Sequence, residues 1–124
     1  AACYSGGYIE PLKNEHTLII TASHADRESF GCSSRKDATF FGDAFFTQGM
    51  GKSDSIEIAF EGARERVVAR EKEAGYAPPS NPQIHVGSEI AEKLKSLQKH
   101  GGSRVTARAP VAHRQGTLPA YTAP

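Results

Sequence analysis

The residues best suited to chemistry open the sequence: Ala1-Ala2-Cys3-Tyr4-Ser5-Gly6-Gly7. A small-small-Cys step followed by Ser-Gly-Gly reads as a thiol at the end of a buried strand. The glycines then let backbone amides approach whatever the sulfur attacks. A working thiol needs a base, amides to hold an oxyanion, and access. Spacing alone leaves a catalytic Cys3 and an inert, structural Cys3 both open. Two other thiol chemistries are excluded. A phosphatase loop wants Arg six residues after the Cys, and Ile9 stands there. A thioredoxin-type pair wants a second Cys at C-x-x-C spacing, which the sequence does not have.

Other chemical signals are weaker. Gly49-Met50-Gly51-Lys52-Ser53 imitates the end of a phosphate-binding loop. That motif needs a glycine five residues before Gly51, where Phe46 stands, and a strand before it. It reads as an interhelix turn. The five histidines do not cluster in sequence, and no His, Cys or carboxylate set has zinc-ligand spacing. His85 reads as a packed or edge histidine, and His100 and His113 as solvent-exposed. Cys32 reads as an inert buried thiol, although it could pair with Cys3.

The elements that must position Cys3 follow from periodicity. Tyr8 to Leu12 suits a short helix, limited by Pro11. Thr17-Leu18-Ile19-Ile20-Thr21-Ala22 is a short, β-branched strand, apolar on consecutive positions. That pattern favours a parallel sheet buried on both faces. Ser23 to Lys36 is a polar loop leaving the strand's carboxyl end, where open α/β sheets bind ligands. Asp37 can cap a helix over about 39–48, with Phe40, Phe41, Ala44 and Phe45 on one side. Asp54 and Glu57 have capping-box spacing for a longer helix over about 55–74. Its apolar stripe is Ile56, Ala59, Phe60, Ala63 and Val67. Gly75 and Pro78-Pro79 end it. Gln83 to Gly87 is a second strand, and Ser88 can cap a last helix reaching about Lys99.

The sequence therefore reads as α/β, with a mainly parallel sheet flanked by helices. Only two or three strands are present, so N-terminal strands are expected to be missing or supplied by assembly. The lack of an initiator Met and the start at Ala1 point the same way, to processing or truncation. Two segments are expected: a folded part, 1–100, and a non-globular tail, 101–124, with three Arg and no acidic residue. A net charge of +1 argues against general attraction to nucleic acid. No apolar run approaches the roughly 20 residues that span a bilayer.

Several stretches together carry a resemblance. Ala2-Cys3-Tyr4-Ser5-Gly6, Thr21-Ala22, Arg27-Glu28-Ser29-Phe30-Gly31-Cys32, Phe41-Gly42-Asp43 and Asn81-Pro82-Gln83-Ile84-His85-Val86-Gly87 resemble the legumain family of cysteine peptidases, especially its bacterial members. The resemblance extends from Ala1 to about Leu97. It implies a caspase-like α/β fold and hydrolysis of peptide bonds in a peptide or protein substrate, without a metal or cofactor.

The resemblance also implies roles for single residues. Cys3 matches the nucleophile, and its backbone N–H half of the oxyanion hole. Asp43 matches an acidic residue of the primary specificity pocket. Ser23 opens the segment bordering the substrate cleft. The family's catalytic His belongs to a His-Gly pair N-terminal to the Cys. Here the one His-Gly pair, His100-Gly101, lies on the other side of it. The family cleaves classically after Asn and sometimes Asp; Ala1 stands where it carries an acidic residue two positions before the Cys, which argues against that preference here. General-base help is worth about 10²–10⁴-fold in rate, so the 124 residues alone are expected to be nearly inactive. The rival reading is a non-catalytic interaction domain with a structural Cys3. Self-association through the open sheet edge is a further expectation.

Overall fold

A computed structural model describes residues 2–31 and 38–100. The expectations for Cys32, Asp37 and the tail from 101 fall outside those residues. After Cys3 the chain makes a 3₁₀ turn, Ser5–Tyr8, that runs into a one-turn helix α1, Ile9–Leu12. Strand β1 is Leu18–Thr21. Helix α2 starts as an α turn, Phe40–Gly42, and continues as a π-helical segment, Asp43–Met50. Helix α3 spans Ile56–Glu73, strand β2 spans Gln83–Val86 and helix α4 spans Ser88–His100.

The two strands pair antiparallel, with Leu18 opposite Val86 and Thr21 opposite Gln83. This pair is the whole sheet among the described residues, and it does not show the mainly parallel arrangement expected from the sequence. Consecutive apolar residues report burial on both faces; they carry no information on strand direction, and mixed sheets are common. Gly87 N–H donates to Thr17 C=O and extends the pairing by one step. The carbonyl of Glu15 then accepts the first free amides of α4, from Glu89 and Ile90.

The core is small and aromatic. Phe40, Phe41, Ala44 and Phe45 of α2 meet Ala59, Phe60, Ala63 and Val67 of α3, with Ile20 and Ile84 of the sheet packed against them. Ala59 and Ala63 let the helices approach closely, and the Phe41 ring tilts against Phe60 at 6.2 Å between centroids. Thr39 caps α2: its hydroxyl accepts from Gly42 N–H at 3.0 Å. Ser55, not Asp54, caps α3, accepting from Ile58 N–H at 3.4 Å. The π-helical continuation of α2 was not expected. Its wider turn matches the Gln48–Asp43 side-chain bond, which spans the five-residue step of a π turn at 2.8 Å.

Helix α3 ends on Gly75, whose φ of 75° is open to glycine at little strain. Gly75 N–H bonds Lys72 C=O and Tyr76 N–H bonds Glu71 C=O, the paired bonds of a Schellman stop. The chain turned out of the helix this way forms the segment 76–80, which comes to lie beside the loop that follows β1.

Candidate functional site

Cys3 is an exposed, free thiol. The backbone of Tyr4 behind it sits at φ 58°, ψ 16°, a left-handed conformation that a bulky residue adopts only when its surroundings force it. Three contacts supply the force. Tyr4 N–H donates to Arg27 C=O at 2.7 Å. Ser5 N–H donates to Ser23 Oγ at 3.2 Å. Ser23 Oγ–H donates to Ala2 C=O at 3.2 Å. The fully buried Ser23 hydroxyl thus ties the chain on both sides of Cys3.

Gly6 closes this arrangement. A Cβ there would stand 2.6 Å from the Ala25 nitrogen and 2.8 Å from the Ser23 carbonyl oxygen. Only glycine lets the 23–25 backbone press this closely against the turn. The sequence suggested that Ser5, Gly6 and Gly7 offer amides to a reacting group. The structure engages the Ser5 and Gly7 amides internally, with Ser23 and with Tyr4 C=O. The Cys3 amide has no partner among the described residues.

The sulfur is held by Ser29. Its backbone N–H donates to Cys3 Sγ at 3.3 Å, and the thiol reaches Ser29 C=O at 3.5 Å. Ser29 is itself buried. Sequence reasoning marked the stretch around Ser29 but not this contact, since a pair 26 residues apart leaves no spacing signal.

A chain of hydrogen bonds supports the loop from behind. Arg27 N–H bonds His24 C=O, and His24 N–H bonds Ser80 C=O. Ser80 N–H donates to Glu71 Oε2 at 2.9 Å. Glu71 is 1% exposed, in line with the apolar stripe of α3. The sequence placed it on no face. A carboxylate there anchors the 76–80 segment and, through it, the loop that fixes Tyr4.

Asp43 opens the π segment and is tied to Gln48 and to Arg70 of α3, each at 2.8 Å. The Gln48 bond first, and then the Arg70 bond and charge, hold its carboxyl below the usual range. Arg70 also stacks over the Phe40 ring at 4.9 Å. No hydrogen bond joins Asp43 to Cys3, Ser23 or Ser29. The structure therefore brings Cys3 and Ser23 together and gives Asp43 a separate setting.

None of the described histidines bonds the thiol. His24 Nδ1 lies 2.5 Å from Asp26, whose carboxyl this bond lowers, helped by Arg27. His85 bonds Asn14 C=O. His16 Nδ1 lies 3.0 Å from Glu89 and its Nε2 3.6 Å from Glu15, in an exposed cluster on the α4 side of the sheet. Sequence spacing hid that cluster, because Glu89 arrives from α4.

Two hollows flank the Cys3 segment. One, of about 740 Å³, is bordered by Ala2 and Ser5 and walled by Ile20, Phe41, Phe45 and Met50. The other, of about 470 Å³, begins at Tyr4 and is walled by Asp26, Arg27, Glu28, Phe30 and Tyr76. The model of the peptidase C13 family matches residues 1–92. No curated protein and no solved structure gives a match.

Proposed function

The chain belongs to the peptidase C13 family, the legumain family of cysteine peptidases, and on that premise we propose that Cys3 is the nucleophile of peptide-bond hydrolysis. The observation that carries this reading is an accessible sulfur aimed by the Ser29 N–H on a strained, over-determined turn. Cys3 Sγ gives its proton to a base and attacks the scissile carbonyl carbon. The Cys3 amide holds the oxyanion. Collapse breaks the C–N bond, and the amine leaves with the proton from the base. Water then cleaves the thioester, releasing the acid and restoring the thiol.

The base is a histidine outside the described residues, expected N-terminal to Ala1 as in the family. Ser23 acts as a positioning residue for the turn. Asp43 is the pocket carboxylate that the resemblance implies, kept ionised by Gln48 and Arg70. The substrate is a peptide or protein. The edge of β1 that is unpaired among the described residues also offers a route to self-association, which light scattering would test.

The decisive experiment expresses the full reading frame with and without Cys3→Ala and assays both on a peptide library. Cleavage is expected from the parent and not from the variant. Equal cleavage by both overturns the assignment of Cys3. Slow iodoacetamide labelling of Cys3 in the full-length protein, no faster than that of Cys32, would support a structural thiol in an interaction domain.

A further inference from the structure

We propose that the hollow beginning at Tyr4 takes a basic side chain, Arg or Lys, of the peptide being cleaved. The inference rests on the reading of Cys3 as nucleophile and adds a substrate class to it. Tyr4 follows Cys3 directly, so the hollow opens one residue from the thiol. An extended peptide advances about 3.3 Å per residue, which puts side chains close to the scissile bond within reach of it.

The walls of the hollow have the chemistry of a cation site. Phe30 and Tyr76 stack face to face, 4.3 Å apart and 6° from parallel. The stack turns one face of each ring against the other and leaves the outer π faces and the phenol edge. Asp26 and Glu28 add two carboxylates. Arg27 is the one cation among the described lining residues, and its Nε is already 3.6 Å from Asp26. Asp26 is engaged further by His24. Glu28 is exposed and forms no ion pair among the described residues. A long cationic side chain lying on an outer ring face would end against an unpaired carboxylate. An acidic side chain in the same place would meet two carboxylates and one occupied guanidinium. The hollow on the other side of Cys3 is apolar and offers no such partner.

The test separates binding from cleavage. The full chain with Cys3→Ser is titrated against fluorescein-labelled extended heptapeptides differing only in one central residue: Arg, norleucine or Glu. Polarisation reads affinity. The Arg peptide is expected to bind about tenfold more tightly than the Glu peptide, as an exposed cation–π contact and one ion pair together allow. Glu28→Gln should remove most of that ratio, and Tyr76→Ala should weaken the Arg peptide most. Glu28 is exposed and unpaired, so Glu28→Gln should leave the circular dichroism unchanged. Equal affinities, absent binding of the Arg peptide, or a ratio that survives Glu28→Gln overturns the inference. Loss of Cys3-dependent cleavage in the library assay, with this charge selectivity intact, would instead remove the peptidase reading and leave the site.

Discussion

The two hollows beside Cys3 are built on different principles. On the Tyr4 side the wall is held by backbone: the loop 23–29 and the segment 76–80 are linked by hydrogen bonds that end on the buried Glu71. On the other side the wall is made of side-chain volume, from Phe41 and Phe45 of α2 resting on Phe60 of α3. Directional bonds set positions, whereas apolar packing sets volume and overall stability. Precision is held on the hydrogen-bonded side. The turn bearing the thiol is fixed by Ser23, Arg27 and Ser29, all from the hydrogen-bonded wall. On this reading, repacking the apolar wall is expected to leave the sulfur in place.

Phe60→Ala is the largest blow to the volume side. Phe60 is 1% exposed, and its truncation should cost about 3–5 kcal/mol in unfolding free energy. Urea unfolding measures the loss. If the comparison holds, the molecules still folded should alkylate Cys3 at the parental rate, followed by peptide-resolved mass spectrometry. A changed rate would mean that the apolar wall also positions the thiol.

Glu71→Ala attacks the other wall at its anchor. It leaves the buried Ser80 N–H without an acceptor, a loss of about 1–3 kcal/mol. The smaller loss should come with a local signature. Amide exchange at Ser80, His24 and Arg27 should accelerate beyond the global change, because those amides form one chain of bonds. Uniform acceleration across the molecule would show that the wall has no mechanical identity of its own.

Helix periodicity made the volume side legible and left the bonded side hidden. Phe40, Phe41, Ala44 and Phe45, and then Ala59, Phe60, Ala63 and Val67, could be placed on facing stripes from spacing alone, and they form the core. Strand limits were legible for the same reason. Strand direction was not, because Leu18 to Thr21 carry an apolar run that fits either orientation. The cap of α3 moved by one residue, since Ser55 competes with Asp54 for the same orphan amides. The Cys3 stretch announced itself by residue type. Ser29 and Glu71 did not, because their partners lie across the fold and a buried carboxylate looks like any surface charge in a helix pattern.

Ser23→Ala should cost less again, about 1–2 kcal/mol, since it removes one hydroxyl that serves Ala2 C=O and Ser5 N–H. Its effect on the thiol should be the greatest of the series. With the clamp gone, nothing on that side compels Tyr4 to stay at φ 58°. Cys3 alkylation should then change by several-fold while far-ultraviolet circular dichroism stays parental. An unchanged rate would assign the strain at Tyr4 to its bond with Arg27 alone.

Asp43→Asn should have the smallest effect and tests whether the apolar wall has a polar seam. The Asp43–Arg70 pair is partly exposed, at 28% and 42% of the two side chains, so it contributes at most about 1 kcal/mol. Gln48 and Arg70 hold the folded carboxyl below its unfolded value of about 3.9. That lowered pKa makes the pair's contribution fully present above the unfolded value and lost as pH falls through the folded one. The stability difference between the parent and the Asp43→Asn chain should therefore be constant from neutral pH to about 5 and shrink below about 4. Added salt should reduce it at neutral pH. Urea midpoints across pH measure this directly. A difference that is flat into acid would place the role of Asp43 in hydrogen bonding to Gln48, which an asparagine side chain retains in part, and not in its charge.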